Sequence, residues 1–260
     1  AASIAATING RIKGAREAAR DIIAALNHPA TMGHKMAEVA VTEYASKVLS
    51  KLISNCESWI DLTEEHITEL QNIQDNYFKD VFHVNPKGTP LCMVRLDSQT
   101  LHIRYQILLR KINRIRKIMG ADETNLARKS LLAGQHTCAG GDLLNECIEW
   151  CKKLNIRCVT RGTNPILDKA KYDEFKLKQG LWKENDKDIK VEKDKLSKVK
   201  DIPMPTKKYE RNYLAKQTTA NARIWFRYRS KIISDIKGNQ SSQWTGRMQC
   251  RHCNTGSDET

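Results

Sequence analysis

Apolar residues recur at helical spacing through the first 120 residues, and this periodicity limits the fold more than any other feature. Residues three or four positions apart share one face of an α-helix, so the pattern gives each segment a single apolar face. It predicts helices over 3–26, 35–54, 64–82 and 101–119, with Thr63 as the N-cap of the third. Amphipathic helices bury such faces against one another, so the sequence predicts a mainly α fold built as a helical bundle.

The rest of the chain is less regular. A fifth helix is predicted over 141–154 and one short strand over 156–160. Between 168 and 208 charged residues crowd together without a sustained apolar face, which is typical of an exposed helix or a partly disordered linker. Residues 207–237 predict one more helix, which is basic. We therefore expect four parts: a helical domain over 1–120, a helical extension with one short strand over 121–162, a charged linker over 163–206, and a basic helix with a cysteine pair over 207–260.

Positive charge limits the classes of partner. The chain has 44 Lys and Arg against 30 Asp and Glu, a formal net charge of +14. Such an excess favours nucleic acid or an acidic membrane surface. Since no apolar run of about 18 residues is present, we expect no membrane-spanning helix. The sequence shows no secretory signal, so its 8 cysteines are interpreted as reduced thiols of an intracellular protein, nuclear or cytoplasmic or both.

The predicted helix over 101–119 is rich in basic residues and contains no acidic residue. Its basic side chains are Arg104, Arg110, Lys111, Arg114, Arg116 and Lys117. Arg110, Arg114 and Lys117 fall on one face at positions i, i+4 and i+7, where they could follow a phosphate backbone. The alternative is that these side chains form the solvated outer face of a bundle helix.

A second basic segment interleaves arginines with aromatic residues. Its basic side chains are Arg223, Arg227, Arg229 and Lys231. Aromatic rings between arginines suit stacking on bases together with phosphate contacts. In a helix, however, Trp225 and Tyr228 share a face that could dock onto the bundle, and Phe226 could do likewise. We predict docking for the aromatic residues and nucleic-acid contact for the basic ones.

Two groups of cysteines suggest different roles. Cys250 and Cys253 have the C-x-x-C spacing that can hold one side of a tetrahedral zinc ion. Two further ligands are needed and none follows Cys253, so we expect a partial site; surface thiols are the alternative. Cys147 and Cys151 lie one helical turn apart, and we predict that both are buried core residues.

No motif in the sequence indicates a catalytic residue. A Gly-rich phosphate loop, an H-E-x-x-H helix and a nucleophile elbow are all absent from the sequence. There is also no adjacent Asp-Asp pair of the kind used in two-metal phosphoryl transfer. Asp186 and Asp188 lie in the predicted linker, where solvated carboxylates are expected.

Several segments, in this order, resemble the region that follows the polymerase palm in non-LTR (LINE-type) retrotransposon reverse transcriptases. Residues 47–59 end in Cys-Glu-Ser-Trp, where the family has a Cys-Glu-Thr-Trp type of stretch. A helix over 67–82, a Pro-Lys-Gly-Thr-Pro turn over 86–90 and the basic helix over 103–118 follow as in the family. Further on, Ala-Arg-Ile-Trp-Phe-Arg-Tyr-Arg and Met-Gln-Cys-Arg-His-Cys resemble the family's arginine-rich helix and zinc knuckle.

This resemblance implies that the chain is a C-terminal fragment of an RNA-directed DNA polymerase that contributes nucleic-acid binding rather than the catalytic centre. The thumb would grip the template–primer duplex, and the knuckle, with Cys250 and Cys253 as zinc ligands, would help to bind element RNA or target DNA. Mg²⁺ would bind only in the palm, which with the fingers would lie upstream in the same polyprotein. Because the palm is absent, we do not expect polymerisation by this chain alone. The alternative is a freestanding basic helical adaptor or scaffold that binds nucleic acid without enzymatic activity.

Overall fold

The protein is mainly α-helical in the part of the chain that the structure describes. The computed structural model describes residues 4–59, 62–85, 88–133, 138–156, 158–161, 164–167, 174–197, 199–202 and 212–230. The expected fold class is therefore confirmed at the level of a mainly α protein.

The first half forms a bundle of helices of very different length. Its elements are α1 (Ile4–Asn27), α2 (Pro29–Met32), α3 (Met36–Glu43), a π-helical segment (Tyr44–Leu49), α4 (Ser50–Leu52), a 3-10 turn (Cys56–Ser58), α5 (Glu64–Phe82), α6 (Leu91–Ser98) and α7 (Ile103–Met119). The helices predicted from periodicity correspond to α1, to α3 with the segments that follow it, to α5 and to α7. The short helix α6 was not predicted.

The second half adds helices and one hairpin. Its described elements are α8 (Leu126–Ala133), α9 (Cys138–Lys153), β1 (Cys158–Arg161), β2 (Asn164–Leu167), α10 (Glu174–Asp194), α11 (Asn212–Lys216) and α12 (Thr219–Arg229). Strands β1 and β2 pair antiparallel, with Cys158 opposite Leu167. The prediction of a single strand was therefore wrong, because the strand pairs with a neighbour that includes Pro165 and was not predicted. The prediction of one continuous helix over 207–237 is also wrong within the described residues 212–230. Two helices are present there, because α11 ends at Lys216 and α12 begins at Thr219.

Helix α5 lies at the centre of the first half and begins where the sequence predicts. The Thr63 hydroxyl accepts a hydrogen bond from the His66 backbone N–H, and His66 Nδ1 accepts one from the Thr63 N–H. These two bonds satisfy donors that the first turn of a helix leaves without partners. The predicted apolar face is buried along the whole helix, from Ile67 to Phe82.

Two hydrophobic cores divide the described residues. The first is built mainly from α1, α3, α4, α5 and α6, and the second mainly from α7, α9 and α10. Helix α7 contributes to both, with Ile103 and Ile107 in the first core and Ile112 and Ile115 in the second. The second core includes Cys147 and Cys151, so the prediction that these cysteines are buried core residues is confirmed.

The prediction of a charged linker over 163–206 is wrong for the region of α10, because this helix is part of the packed fold. Leu177, Leu181 and Ile189 are buried on one side of this helix. A Cβ atom placed on Gly180 would lie 3.0 Å from Leu154 Cδ2, so α10 approaches the end of α9 closely. The apolar residues are too sparse to give a clear amphipathic pattern, but the i+4 spacing of Leu177 and Leu181 puts them on one line along the helix.

Polar side chains of α10 also attach it to the start of α7. Asn185 Oδ1 accepts a hydrogen bond from the His102 N–H at 2.9 Å, and Asp188 Oδ2 accepts one from the Tyr105 hydroxyl at 2.5 Å. Asp188 is therefore a partner within the fold rather than a fully solvated carboxylate. Burial, the largest cause, and this hydrogen bond to Asp188 both raise the pKa of Tyr105 well above its ordinary value.

Candidate nucleic-acid interface

Helix α7 carries six basic residues and no acidic one, and its start is fixed by a histidine cap. The His102 imidazole accepts a hydrogen bond from the Arg104 N–H at 3.2 Å. Burial, together with the positive charge of Arg95, lowers the pKa of His102 to about 4. The imidazole is therefore neutral at physiological pH, as an N-cap acceptor must be.

The basic residues in the first half of α7 are occupied by contacts within the protein. Arg104 forms an exposed ion pair with Glu64. Arg110 donates a hydrogen bond to the Ile53 backbone oxygen at 3.0 Å, just beyond the end of α4. Lys111 is buried, with its Nζ atom 3.1 Å from Glu146 Oε2. The prediction that Lys111 contacts nucleic acid is corrected, because this side chain lies between α7 and α9.

The last turns of α7 present the positive charge that remains open to solvent. Arg114 and Lys117 are both exposed, and their i, i+3 spacing puts them on neighbouring positions of one face. We call these two residues the α7 basic face. Arg114 Nη1 lies 3.8 Å from Glu57 Oε1, a weak contact that leaves the guanidinium able to bind another anion. Arg116 is partly buried.

Arg223 of α12 is turned into the protein, contrary to the sequence prediction. The residue is only 5 % exposed, and Nε donates to the Val81 backbone oxygen at 3.0 Å while Nη2 donates to Asn27 Oδ1 at 2.6 Å. Its Nη1 also lies 3.4 Å from Met32 Sδ. Burial and the nearby charge of Arg227 lower the pKa of Arg223 from its usual value. No phosphate can reach a guanidinium held in this way.

Arg227 and Arg229 also make contacts within the fold. Arg227 Nη2 donates to the His83 backbone oxygen at 2.5 Å. Arg229 Nη2 lies 3.2 Å from the buried Asp97 Oδ1 and its guanidinium lies 5.8 Å from the Tyr213 ring centroid. Val81 and His83 stand at the C-terminal end of α5, where carbonyl groups lack helical partners and the helix dipole is negative. Arg223 and Arg227 of α12 thus serve as capping groups for α5.

The aromatic residues of α12 divide between the core and the surface. Phe226 is buried and stacks on Phe82, with the ring centroids 4.1 Å apart and the planes 3° apart. Docking is therefore confirmed for Phe226. Trp225 and Tyr228 are 47 % and 53 % exposed, so the prediction that they dock onto the bundle is wrong. The signal that distinguishes them is the stripe of Thr219, Ala222 and Phe226, whose i+3 and i+4 spacing marks the buried face.

The remaining predicted site residues, Lys231, Cys250 and Cys253, lie outside the described residues. The expected partial zinc site therefore stays a prediction. Among the residues that the structure does describe, no three His, Cys, Asp or Glu side chains are grouped so that they could hold a metal ion.

A groove of about 530 Å³ lies between α1 and α3. Apolar side chains such as Ile22, Leu26 and Val39 line it, and its polar residues carry both signs of charge, with Asp21 and Glu43 among them. Lys47 and Lys51 also line this groove and offset its two carboxylates, so it lacks the excess of positive charge that makes the α7 basic face the better candidate for a nucleic-acid interface.

Comparison with known proteins gives no match to any family model, curated protein or solved structure. None of the helices in the described ranges is long and apolar enough to cross a membrane.

Proposed function

We propose that this chain binds nucleic acid as the thumb-side part of an RNA-directed DNA polymerase of the non-LTR retrotransposon class. The observation that carries the proposal is the α7 basic face, in which Arg114 and Lys117 are exposed on a helix without acidic residues. The order of motifs that resemble this family and the mainly helical fold support it. The partner would be a template–primer duplex of RNA and DNA, in the nucleus or the cytoplasm.

The mechanism of binding is electrostatic. Each phosphate that an Arg or Lys neutralises releases condensed counterions, so affinity falls steeply as salt is added. Arg114 and Lys117 would make two of these contacts, with Arg104 available once it exchanges Glu64 for phosphate. Arg110 is tied to the Ile53 carbonyl and would position α7 rather than bind the duplex. Zinc bound through Cys250 and Cys253, and contact of Lys231 with RNA or DNA, belong to the same proposal.

The experiment is a salt titration of binding to an RNA–DNA hybrid duplex by fluorescence anisotropy. If about six phosphates are neutralised, wild-type affinity falls on the order of a thousandfold between about 50 and 200 mM salt. The variant Arg114→Glu with Lys117→Glu lowers the affinity and reduces the slope of log K against log salt by about 2. A flat salt response of the wild type would remove nucleic acid as the partner.

A matched control separates a local interface from general attraction. Lys13 and Arg16 are exposed on α1, and replacing both by Glu changes the net charge by the same amount. We expect this control to retain most of the salt slope. Equal losses in the two double variants would mean that the charge of the whole protein, rather than the α7 basic face, drives binding.

The freestanding adaptor remains the second candidate, because it needs the same exposed face. The encoding DNA upstream of Ala1 separates the two. An in-frame Asp-Asp motif flanked by palm-like strands would support the polymerase, whereas a start codon close to Ala1 would favour the adaptor.

A further inference from the structure

Helix α12 presents an outward face that carries apolar side chains without a described partner helix. Ile224 is 60 % exposed, beside Trp225 and Tyr228, which are about half exposed. We call these three residues the α12 ledge. Large apolar side chains exposed together on one helix face are more informative than a single exposed leucine, because such patches often mark a binding surface.

The two rings of the α12 ledge are ordered against each other. Their centroids are 5.9 Å apart and their planes meet at 86°, so one ring packs its edge on the other. This edge-to-face arrangement is favourable for aromatic pairs and holds both rings in place. Each ring keeps about half of its area open, which is enough to offer a flat surface to another ring.

The helix that carries the α12 ledge is firmly attached on its opposite side. Phe226 stacks on Phe82, Arg223 and Arg227 bond to the end of α5, and the Thr219 hydroxyl donates to the His34 backbone oxygen at 2.8 Å. A binding surface on an anchored helix loses little conformational freedom when a ligand binds. The exposed rings are therefore positioned in advance.

The charge around the α12 ledge is positive. Helix α12 contains three arginines and no acidic residue. Arg229 follows Tyr228 directly, lies one turn beyond Trp225, and keeps 23 % of its side chain exposed. Its guanidinium is paired with the buried Asp97, which offsets this charge. Arg223 and Arg227 bond to neutral acceptors instead, namely the backbone oxygens of Val81 and His83, so α12 keeps a positive charge among the described residues. Aromatic rings within a positive field attract an anion that also carries planar groups.

The size of the α12 ledge argues against a folded protein as its partner. Half-exposed side chains of this size contribute roughly 100 Å² each, so the two aromatic residues and Ile224 together offer roughly 300 Å². A stable protein interface needs about 800 Å² from each partner. Two stacked bases, in contrast, require only two ring faces next to a source of positive charge.

We propose that Trp225 and Tyr228 stack on unpaired bases of single-stranded nucleic acid, with the partly exposed Arg227 supplying positive charge on the same helix. This inference deepens the proposed function and rests on it, because it assigns single strands to α12 and leaves duplex binding to the α7 basic face. Stacking tolerates any base, so the α12 ledge would bind single strands without sequence preference.

The test compares single-stranded oligothymidylate with a duplex of the same length, by anisotropy. Replacing Trp225 and Tyr228 by Ala should weaken single-strand binding by about 5- to 150-fold for each stacked base. Duplex affinity should stay within about twofold. The salt slope should not change, since stacking releases no counterions. Trp225→Phe with Tyr228→Phe should retain most of the single-strand affinity, because both rings remain.

Phe175 of α10 provides the matched control, since it is also a largely exposed aromatic residue. Phe175→Ala should leave single-strand binding unchanged, and an equal loss there would overturn the inference. An equal loss of duplex and single-strand affinity in the Ala variant of the α12 ledge would overturn it as well. Unchanged single-strand binding by that variant would also overturn the inference. If the variant were in addition a monomer in sedimentation while the wild type is a dimer, the α12 ledge would be a contact with a second copy of the chain.

The two proposals fail in different ways. If the wild type binds duplex with a steep salt slope but the Ala variant of the α12 ledge behaves like the wild type on single strands, only the stacking inference fails. If the wild type binds neither probe, both fail.

Discussion

Helices α7 and α12 have similar compositions but use their basic residues in opposite ways. Both are free of acidic residues, and both place arginines among apolar residues. The end of α7 exposes Arg114 and Lys117 to solvent. In contrast, α12 buries Arg223 and leaves Trp225 and Tyr228 at the surface.

The difference follows from what each helix lies against. Helix α12 lies near the C-terminal end of α5, where the Val81 and His83 carbonyl oxygens accept hydrogen bonds from Arg223 and Arg227. The middle of α7 shows the same behaviour, since Arg110 bonds to the Ile53 carbonyl beyond α4. Near the end of α7, Arg114 lies 3.8 Å from Glu57 and stays exposed, as does Lys117. Composition alone therefore shows that a helix is basic, but the neighbouring backbone decides which of its basic residues remain available to a ligand.

The largest expected change in the free energy of unfolding comes from replacing the packed aromatic residue of α12. Phe226→Ala should lower the free energy of unfolding by about 3–5 kcal/mol, because it removes the ring stacked on Phe82 and leaves a cavity. Trp225→Ala should lower it by only about 1 kcal/mol, the contribution of its edge-to-face contact with Tyr228. Urea unfolding followed by circular dichroism measures both. If Phe226→Ala does not fold, Phe226→Leu keeps part of the packing, and equal costs at positions 225 and 226 would contradict the division of α12 into two faces.

A smaller effect is expected from the buried arginine. Arg223→Ala should cost about 2–3 kcal/mol, because the Val81 carbonyl and the Asn27 side chain lose their donor inside the protein. Arg114→Ala, the comparable change on α7, should cost about 0.5 kcal/mol or less. The same urea titration at neutral pH reports both values. A cost for Arg223→Ala as small as that for Arg114→Ala would mean that Arg223 is not held by α5.

The smallest expected effect is the pH dependence of the free energy of unfolding that comes from the N-cap of α7 and is absent from the N-cap of α12. The pKa of His102 is lowered from 6.5 to about 4, so the folded state binds this proton less readily than the unfolded chain. The resulting stability is complete above pH 6.5 and is lost as the pH falls towards 4. We expect a loss of about 1–2 kcal/mol by about pH 5 from this group. Thr218, which caps α12, does not titrate in this range.

The matched variant is His102→Asn, because asparagine is a good N-cap without a titratable group. Unfolding at neutral pH and near pH 5 should show a smaller pH dependence in this variant than in the wild type. The charges that act on His102 are those of Arg95 and Arg104, which lower its pKa, and Asp75 and Asp188, which raise it. An unchanged pH dependence would assign the acid sensitivity to other groups.

Much of the helical architecture was predictable because burial follows periodicity over long segments. The buried face of α5, the Thr63 cap and the core positions of Cys147 and Cys151 all agree with the sequence pattern. Helix α10 was missed as part of the fold because few of its residues are apolar. Its charged and polar side chains bond to distant residues instead, as Asn185 does to His102 and Glu192 to Arg95.

The candidate interface was predicted only in part, for a related reason. Periodicity places Arg110, Arg114 and Lys117 on one face of α7. It cannot show that Arg110 donates a hydrogen bond to the Ile53 backbone oxygen. It also leaves Trp225 and Phe226 equally apolar, although one is about half exposed and the other is stacked on Phe82. In each case the partner lies far away in the sequence, so no local pattern contains the information.

The sequence by itself determined that this protein is mainly helical and strongly basic, because helical periodicity and net charge are properties of short segments and of composition. Only the tertiary structure decided which basic residues are exposed. For Arg110, Arg223 and Arg227 that choice depends on where the ends of α4 and α5 place carbonyl groups without helical partners, because a guanidinium nearby bonds to them instead of remaining in solvent. Lys111 and Arg229 are held by carboxylates that lie far away in the sequence.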